Sequence, residues 1–198
     1  MSALKNLAYE LGMRRLGISN HLIETENIEY EGINSSVINT YTYYKKRCLE
    51  CSHIAAIFAC KNPTINTLLS VGENHSCANY RMSVHAEEDV INKLKPMGRN
   101  RVINVNMLIV CVTETGKFHD SHPCVHCKKM MMERPSKMGY RINRIYYTTN
   151  AGDIEEYTMN NLLLSEKVHI SKYYKRTNYN MDKWMKWRDS IVLVIRIK

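Results

Sequence analysis

"RVINVNMLIVCVTETGKFHDSHPCVHCKKMMMERPSKMGYRINRIYYTT", residues 101–149, decides the architecture. Its opening, "RVINVNMLIVCVTE", reads as a buried strand, and its close, "YRINRIYYTT", as a second strand by its β-branched and aromatic content. Between them "PCVHCKKMMMERPSKMGY" reads as a helix. Pro123 suits the first helical position, where a missing N–H costs nothing, and Pro135 should end or kink the helix. A strand–helix–strand crossover makes its two strands parallel. Upstream, "HIAAIFAC", "KNP" and "TINTLLSVGEN" read as strand, turn and strand, an antiparallel hairpin. The polar "HSCANYRMS" reads as a loop leading to a helix from Val84 to Lys95, ended by Pro96 and Gly98. Downstream, "NAGD" turns the chain into a helix around Met159 to Ser165. The alternation predicts an α/β layered domain with a mixed sheet.

The flanks are less regular. Residues 1–43 read as an N-terminal extension that starts with an amphipathic helix, Leu4, Leu7, Ala8 and Leu11 falling at helical spacing. "KKRCLECS" fits a helical turn or two at the start of a domain spanning 44–165. Residues 166–198 form a basic, aromatic C-terminal extension. There Trp184 and Trp187, three apart, fit the apolar face of a terminal helix better than a base-stacking platform, and "IVLVIRI" reads as a closing strand.

With 198 residues, 44% hydrophobic and 24% charged, the chain has the composition of one soluble domain with extensions. No run approaches the roughly 18 apolar residues of a membrane-spanning helix. The first residues lack the apolar segment of an export signal, so the seven cysteines are expected in a reducing compartment, the cytoplasm or the nucleus. The net charge of +9 is uneven: residues 100–198 hold 17 Lys/Arg against 9 Asp/Glu, and residues 1–99 hold 11 against 10. Such asymmetry suits an anionic partner, a nucleic acid or a phosphorylated small molecule, and equally a solvated basic face.

Cys124 and Cys127 are three apart, so on a helix both thiols leave the same face. In a first turn the unpaired N–H groups and the helix dipole favour the thiolate that a soft divalent metal requires. His85, at another helix start, supplies an imidazole, and Glu87 reaches the same cavity without having to bind the metal. Three protein ligands with an open fourth position describe a catalytic zinc. Glu88 and Asp89 read as first-turn acids facing the helix dipole. A second, structural zinc on Cys48 and Cys51 with His53, His75 or Cys77 ranks behind simple core burial, and His126 is expected to point away from the metal.

"HAE" at 85–87 followed by "PCVHC" at 123–127 resembles the H-x-E…P-C-x-x-C pattern of the zinc-dependent cytidine and deoxycytidylate deaminase superfamily, and the order of elements extends the likeness over roughly residues 45–165. The resemblance implies a three-layer α/β/α fold around a five-stranded mixed sheet. One catalytic zinc would sit on His85, Cys124 and Cys127, with Glu87 as general acid/base. Asn74 would contact the sugar or base, and the Ala86 N–H would donate to the pyrimidine carbonyl. It further implies a nucleoside or nucleotide substrate and a homo-oligomer. The chain departs from the commoner pattern at His122, where Ser or Glu is more usual. Three functions follow: deamination of cytidine, deoxycytidine or a monophosphate of either; editing of a base within RNA or single-stranded DNA, with attack at C6 if the ring were adenine; or a silent zinc-stabilised nucleic-acid-binding module, against which the intact Glu87 argues.

Overall fold

The computed structural model describes residues 2–16, 52–61, 64–77, 82–97, 102–113, 115–165, 167–171, 174–175 and 180–197. A six-stranded mixed sheet forms the centre. Along its main path run β2 (Thr64–Glu73), β1 (Ser52–Lys61), β5 (Ile103–Val112), β7 (Tyr140–Thr148) and β8 (Ile154–Thr158), in that order. The short β6 (Phe118–His119) pairs with β5, and β3 (His75–Cys77) pairs with β4 (Met82–Val84) as a separate ribbon. The hairpin β1–β2 is antiparallel and β5–β7 parallel, as the spacing of the apolar runs requires.

Side-chain alternation sends the strand residues to two cores. Ile54, Ala56, Phe58, Leu108 and Val110 meet Leu7, Ala8 and Leu11 of α1 (Ser2–Leu16). Ala55, Ile57, Met107 and Ile109 meet Ala86, Val90 and Ile91 of α2 (Ala86–Asn92), Met130 and Met131 of α3 (Val125–Lys137), and Leu162 and Leu163 of α4 (Met159–Leu164). Because β5 is covered on both faces, its residues from Val105 to Val112 are buried, which explains the apolar run "MLIVCV". Each such buried aliphatic side chain contributes about 1.5–3 kcal/mol.

Five readings are corrected. "IVLVIRI" is no strand: it continues α5 (Met181–Ile197), whose Trp184 is buried and whose Trp187 and Ile191 pack on the second core, so helical spacing from the two tryptophans overrides β-branched propensity. Pro123 is not the first helical residue, because Cys124 takes the N-cap with extended angles (φ −72°, ψ 165°) and α3 begins at Val125. Pro135 does not end α3, since the helix runs on to Lys137 and stops before Gly139, whose φ of +85° supplies the left-handed residue that closes a helix. "HSCANYRMS" contains the ribbon strands β3 and β4 in place of a plain loop. After "NAGD" the chain first forms β8, an edge strand whose "IEEYT" carries two acids and buries only Ile154, a pattern too polar to announce a strand. The helical reading of "KKRCLECS", most of residues 1–43, and Cys48 and Cys51 lie outside the described residues.

Candidate metal centre

Two helix starts converge at one end of the sheet. α2 follows the β3–β4 ribbon and is seated on β2 at Gly72, where an added Cβ would lie 2.1 Å from the Val90 nitrogen and 2.7 Å from the Ala86 carbonyl oxygen. Only a residue without a side chain lets helix and strand backbones approach so closely. Two polar ties fix the register: Ser70 Oγ donates to the Val90 carbonyl at 2.9 Å, and the Glu73 N–H donates to Asp89 Oδ2 at 2.9 Å. Asp89 also pairs with Lys93 at 2.7 Å, and Glu88 with Arg134 of α3 at 3.1 Å, so both acids serve structural ties. His85 occupies the N-cap of α2 with extended angles (φ −79°, ψ 155°), which throw its ring beyond the helix end.

α3 is entered through a buried network. Ser121 Oγ donates to the Ile109 carbonyl at 2.8 Å and accepts from the Thr148 N–H at 2.9 Å, while Thr148 Oγ1 donates to the His119 carbonyl at 2.7 Å. Loop 119–124 is thereby stitched across the ends of β5 and β7. Cys124 then caps α3 and Cys127 follows in its first turn, both buried.

The three predicted ligands come together. His85 Nδ1 lies 3.2 Å from Cys127 Sγ and 3.6 Å from Cys124 Sγ, and all three donor atoms lie within 4.8 Å of one another. Tetrahedral zinc, with Zn–S near 2.3 Å and Zn–N near 2.0 Å, sets such donors roughly 3.5–3.8 Å apart. One imidazole and two sulfurs at this spacing could hold a metal ion, and the residues fit zinc. Among the described residues no other group of three His, Cys, Asp or Glu side chains has metal-binding geometry.

A hydrogen bond with Cys127 and the His85 imidazolium hold the Cys124 thiol well below its usual pKa, against burial. Burial, and then the hydrogen bond with Cys124, push the Cys127 thiol up. For His85, burial lowers the pKa, but the hydrogen bond to Cys124 and the charges of Glu87 and Cys124 outweigh it and raise the value to about 9. Glu87, 5% exposed, has its carboxyl pKa raised by burial, with the nearby His85 opposing.

The remaining predicted positions are placed as follows. Asn74 directly follows β2, and its Oδ1 accepts from the His53 N–H at 2.9 Å while its own N–H donates to the His53 carbonyl at 3.1 Å. Ala86 is the first residue of α2 and is fully buried. His126 is not one of the three grouped ligands: its ring lies 4.6 Å from that of Tyr174, which in turn stands edge-on to His85 at 6.5 Å. His122 is buried against the Tyr147 ring at 5.1 Å, and burial lowers its pKa to about 4.

Sequence reasoning missed Lys128. Fully buried, its ammonium donates to the Leu162 carbonyl (3.1 Å), Ser165 Oγ (3.1 Å) and the Lys167 carbonyl (3.0 Å), and burial lowers its pKa to about 8. It missed equally the Trp184 indole, whose Nε1–H donates to the Val125 carbonyl at 3.0 Å. No local signal announces either, because both contacts are long-range. Beside α3, a cleft of about 290 Å³ is lined by His126, Lys129, Glu133, Arg134, Asn180 and Lys183.

No protein-family profile matches the chain, and no curated protein matches it. Among solved structures, the chain is similar to cytidine deaminase from Mycobacterium leprae, with 23% identity and a TM-score of 0.35 over 58% of this chain and 80% of that one. Cytidine deaminase from Mycobacterium tuberculosis matches with 12% identity and a TM-score of 0.39, over 84% of this chain and 97% of that one.

Proposed function

We propose that the chain is a zinc-dependent hydrolytic deaminase of a cytosine nucleoside or nucleotide, with residues 44–165 as its catalytic domain. The observation that carries the reading is the convergence of His85, Cys124 and Cys127 within 4.8 Å beside the buried carboxyl of Glu87. When bound there, zinc lowers the pKa of a coordinated water toward neutrality. His85, through Nδ1, and the two cysteines would hold the ion.

Glu87 moves the protons. Burial raises its carboxyl pKa, which favours the protonated form and so suits a group that must donate a proton as well as accept one. The carboxylate takes a proton from the attacking water and passes it to the ring nitrogen as the water oxygen bonds to C4; it then takes the second proton from the new C4 hydroxyl and delivers it to the amino group, so that the C4–N bond breaks and ammonia and the uracil product leave. The Ala86 N–H, at a helix start that leaves it without an intrahelical partner, is assigned to the pyrimidine carbonyl. Asn74, held at the end of β2 by the His53 backbone, is assigned to the sugar or base.

A second reading, deamination of a base within single-stranded nucleic acid, is favoured by the cleft beside α3, where Lys129, Arg134 and Lys183 outnumber Glu133. One assay separates the two. The full chain, purified without chelator, is incubated with cytidine, deoxycytidine, their monophosphates, adenine analogues and single-stranded oligonucleotides, and ammonia release and base mass are followed. Turnover of free cytosine nucleosides or nucleotides supports the first reading, turnover of oligonucleotides alone the second. Zinc-loaded protein that turns over neither, yet binds oligonucleotide in a salt-sensitive way, overturns both in favour of a binding module.

A further inference from the structure

Val125 stands between the two cysteines, and both of its backbone polar groups are engaged from far along the chain. Its N–H donates to the His169 carbonyl at 2.9 Å. Its carbonyl accepts the Trp184 Nε1–H at 3.0 Å, a buried bond spanning 59 residues. The first N–H groups of a helix have no partner within it, and a side-chain oxygen at the N-cap ordinarily supplies one. α3 has none: Cys124 makes no side-chain cap hydrogen bond, its sulfur being turned toward His85 at 3.6 Å. The His169 carbonyl takes over part of that task.

Lys128 adds a third tie. Its three ammonium protons meet three acceptors, the Leu162 carbonyl, Ser165 Oγ and the Lys167 carbonyl, at 3.0–3.1 Å. Leu162 and Ser165 lie at the end of α4, where orphan carbonyls need donors. The chain leaving α4 is thus fastened to the residue next to Cys127, and it continues directly to His169.

We propose that the C-terminal segment is part of the metal-ligand scaffold: His169, Trp184 and Lys128 are positioning residues that hold the first turn of α3 so that Cys124 and Cys127 face His85. The proposal rests on the metal reading above. It assigns His169 and Trp184 a role inside the centre, beyond the apolar helix face that the tryptophan spacing predicts.

Trp184→Phe tests it, since an aromatic side chain stays in the buried site while the N–H that bonds Val125 is lost, and the urea midpoint records the cost of the smaller ring; Lys128→Met is the companion. In the full chain, zinc affinity is measured by competition with a chromophoric chelator, the ligand field by absorption of the cobalt(II)-substituted protein, and thiol protection by iodoacetamide labelling of metal-free protein. Urea midpoints of the metal-free proteins serve as the measure of stability. Trp184→Phe should weaken zinc binding about tenfold, alter the thiolate-to-cobalt band, and speed labelling of Cys124 while leaving Cys111 unchanged. Variants with wild-type zinc affinity, cobalt spectrum and Cys124 labelling overturn the proposal, whatever their urea midpoints do. If Lys128→Met fails to fold, Trp184→Phe decides alone. If the wild-type chain binds no zinc, the metal reading fails, and the positioning proposal then stands or falls on Cys124 labelling in Trp184→Phe.

Discussion

Replacing Gly72 by alanine should damage the centre without touching any of its groups. The added methyl would lie 2.1 Å from the Val90 nitrogen, 2.6 Å from Val90 Cα and 2.7 Å from the Ala86 carbonyl oxygen, all of them backbone atoms that no rotamer change can remove. Contact distances of roughly 3.5 Å require α2 to lift from β2 by about 1.4 Å. Overpacking of this kind costs about 1–3 kcal/mol. The Ser70–Val90 and Glu73–Asp89 hydrogen bonds, both 2.9 Å, stretch with it and are worth about 1 kcal/mol each. A loss of about 3 kcal/mol corresponds to a urea midpoint lowered by about 1.5 M at a slope near 2 kcal/mol/M. Since α2 carries His85 at its cap, the same shift withdraws Nδ1 from the sulfurs 3.2 and 3.6 Å away. Urea unfolding and zinc analysis of the purified variant check both consequences. A Gly72→Ala chain within about 0.5 kcal/mol of wild type, holding one zinc, refutes the claim that this backbone contact sets the position of His85.

Glu87→Gln should keep zinc and lower turnover by about 10²–10⁴-fold, because the amide fills the same buried space but moves no proton; near-normal kcat would remove Glu87 from the mechanism. Cys124→Ser and Cys127→Ser should each lose stoichiometric zinc, and Cys127→Ser, at a fully buried position, should also lose about 1–3 kcal/mol in urea unfolding; retained zinc in both would show that the sulfurs are not ligands. His53 gives a pH dependence. Burial first, and then repulsion by His85 and His169 against the attraction of Asp120, lowers its pKa to about 4. Its folded value therefore lies below the ordinary 6.5, the unfolded chain takes up the proton first, and stability is full above about pH 6.5 and declines as pH falls toward 4. Urea midpoints at stepped pH should show this decline reduced in His53→Asn; an identical slope in the variant contradicts the assignment.

The elements legible in the sequence were those whose burial is two-sided or strictly periodic. β5, covered on both faces, carries the apolar run Met107 to Val112, and α1 shows its buried stripe at Leu7, Ala8 and Leu11. The elements that escaped it carry polar or locally ambiguous residues. β8 holds two acids because it is an edge, with Glu155 accepting the Tyr147 hydroxyl at 2.6 Å and lying 3.6 Å from Lys167, contacts that only the folded sheet creates. "IVLVIRI" has strand propensity in every residue but Leu193 and Arg196, yet it follows a helix already docked through Trp184 and Trp187, and that docking sets the conformation. At the site, His85, Cys124 and Cys127 were legible because metal ligation restricts residue type and spacing together. Lys128 was not, since its three acceptors lie 34 to 39 residues away and nothing in "CKKMMM" distinguishes it from its neighbour Lys129.

The helix starts explain why ligation could be read at all. Both His85 and Cys124 sit at N-caps, and neither side chain caps its helix. An N-cap without a side-chain bond forfeits about 1 kcal/mol, so two such residues facing each other across the same gap are costly as a purely structural solution. Serine, threonine or aspartate at either place would serve folding better. The extended angles of a cap also project its side chain past the helix end, toward whatever the other helix presents, and the positive ends of both helix dipoles favour anionic sulfur there. A shared cation supplies what the missing cap bonds do not, because its ligand bonds tie the two helix ends together only in the folded chain. Zinc should accordingly raise the urea midpoint of the wild-type chain and leave that of Cys124→Ser unchanged. A zinc-independent wild-type midpoint, measured at zinc concentrations well above the dissociation constant, would mean that the paired uncapped starts are tolerated for some reason other than metal.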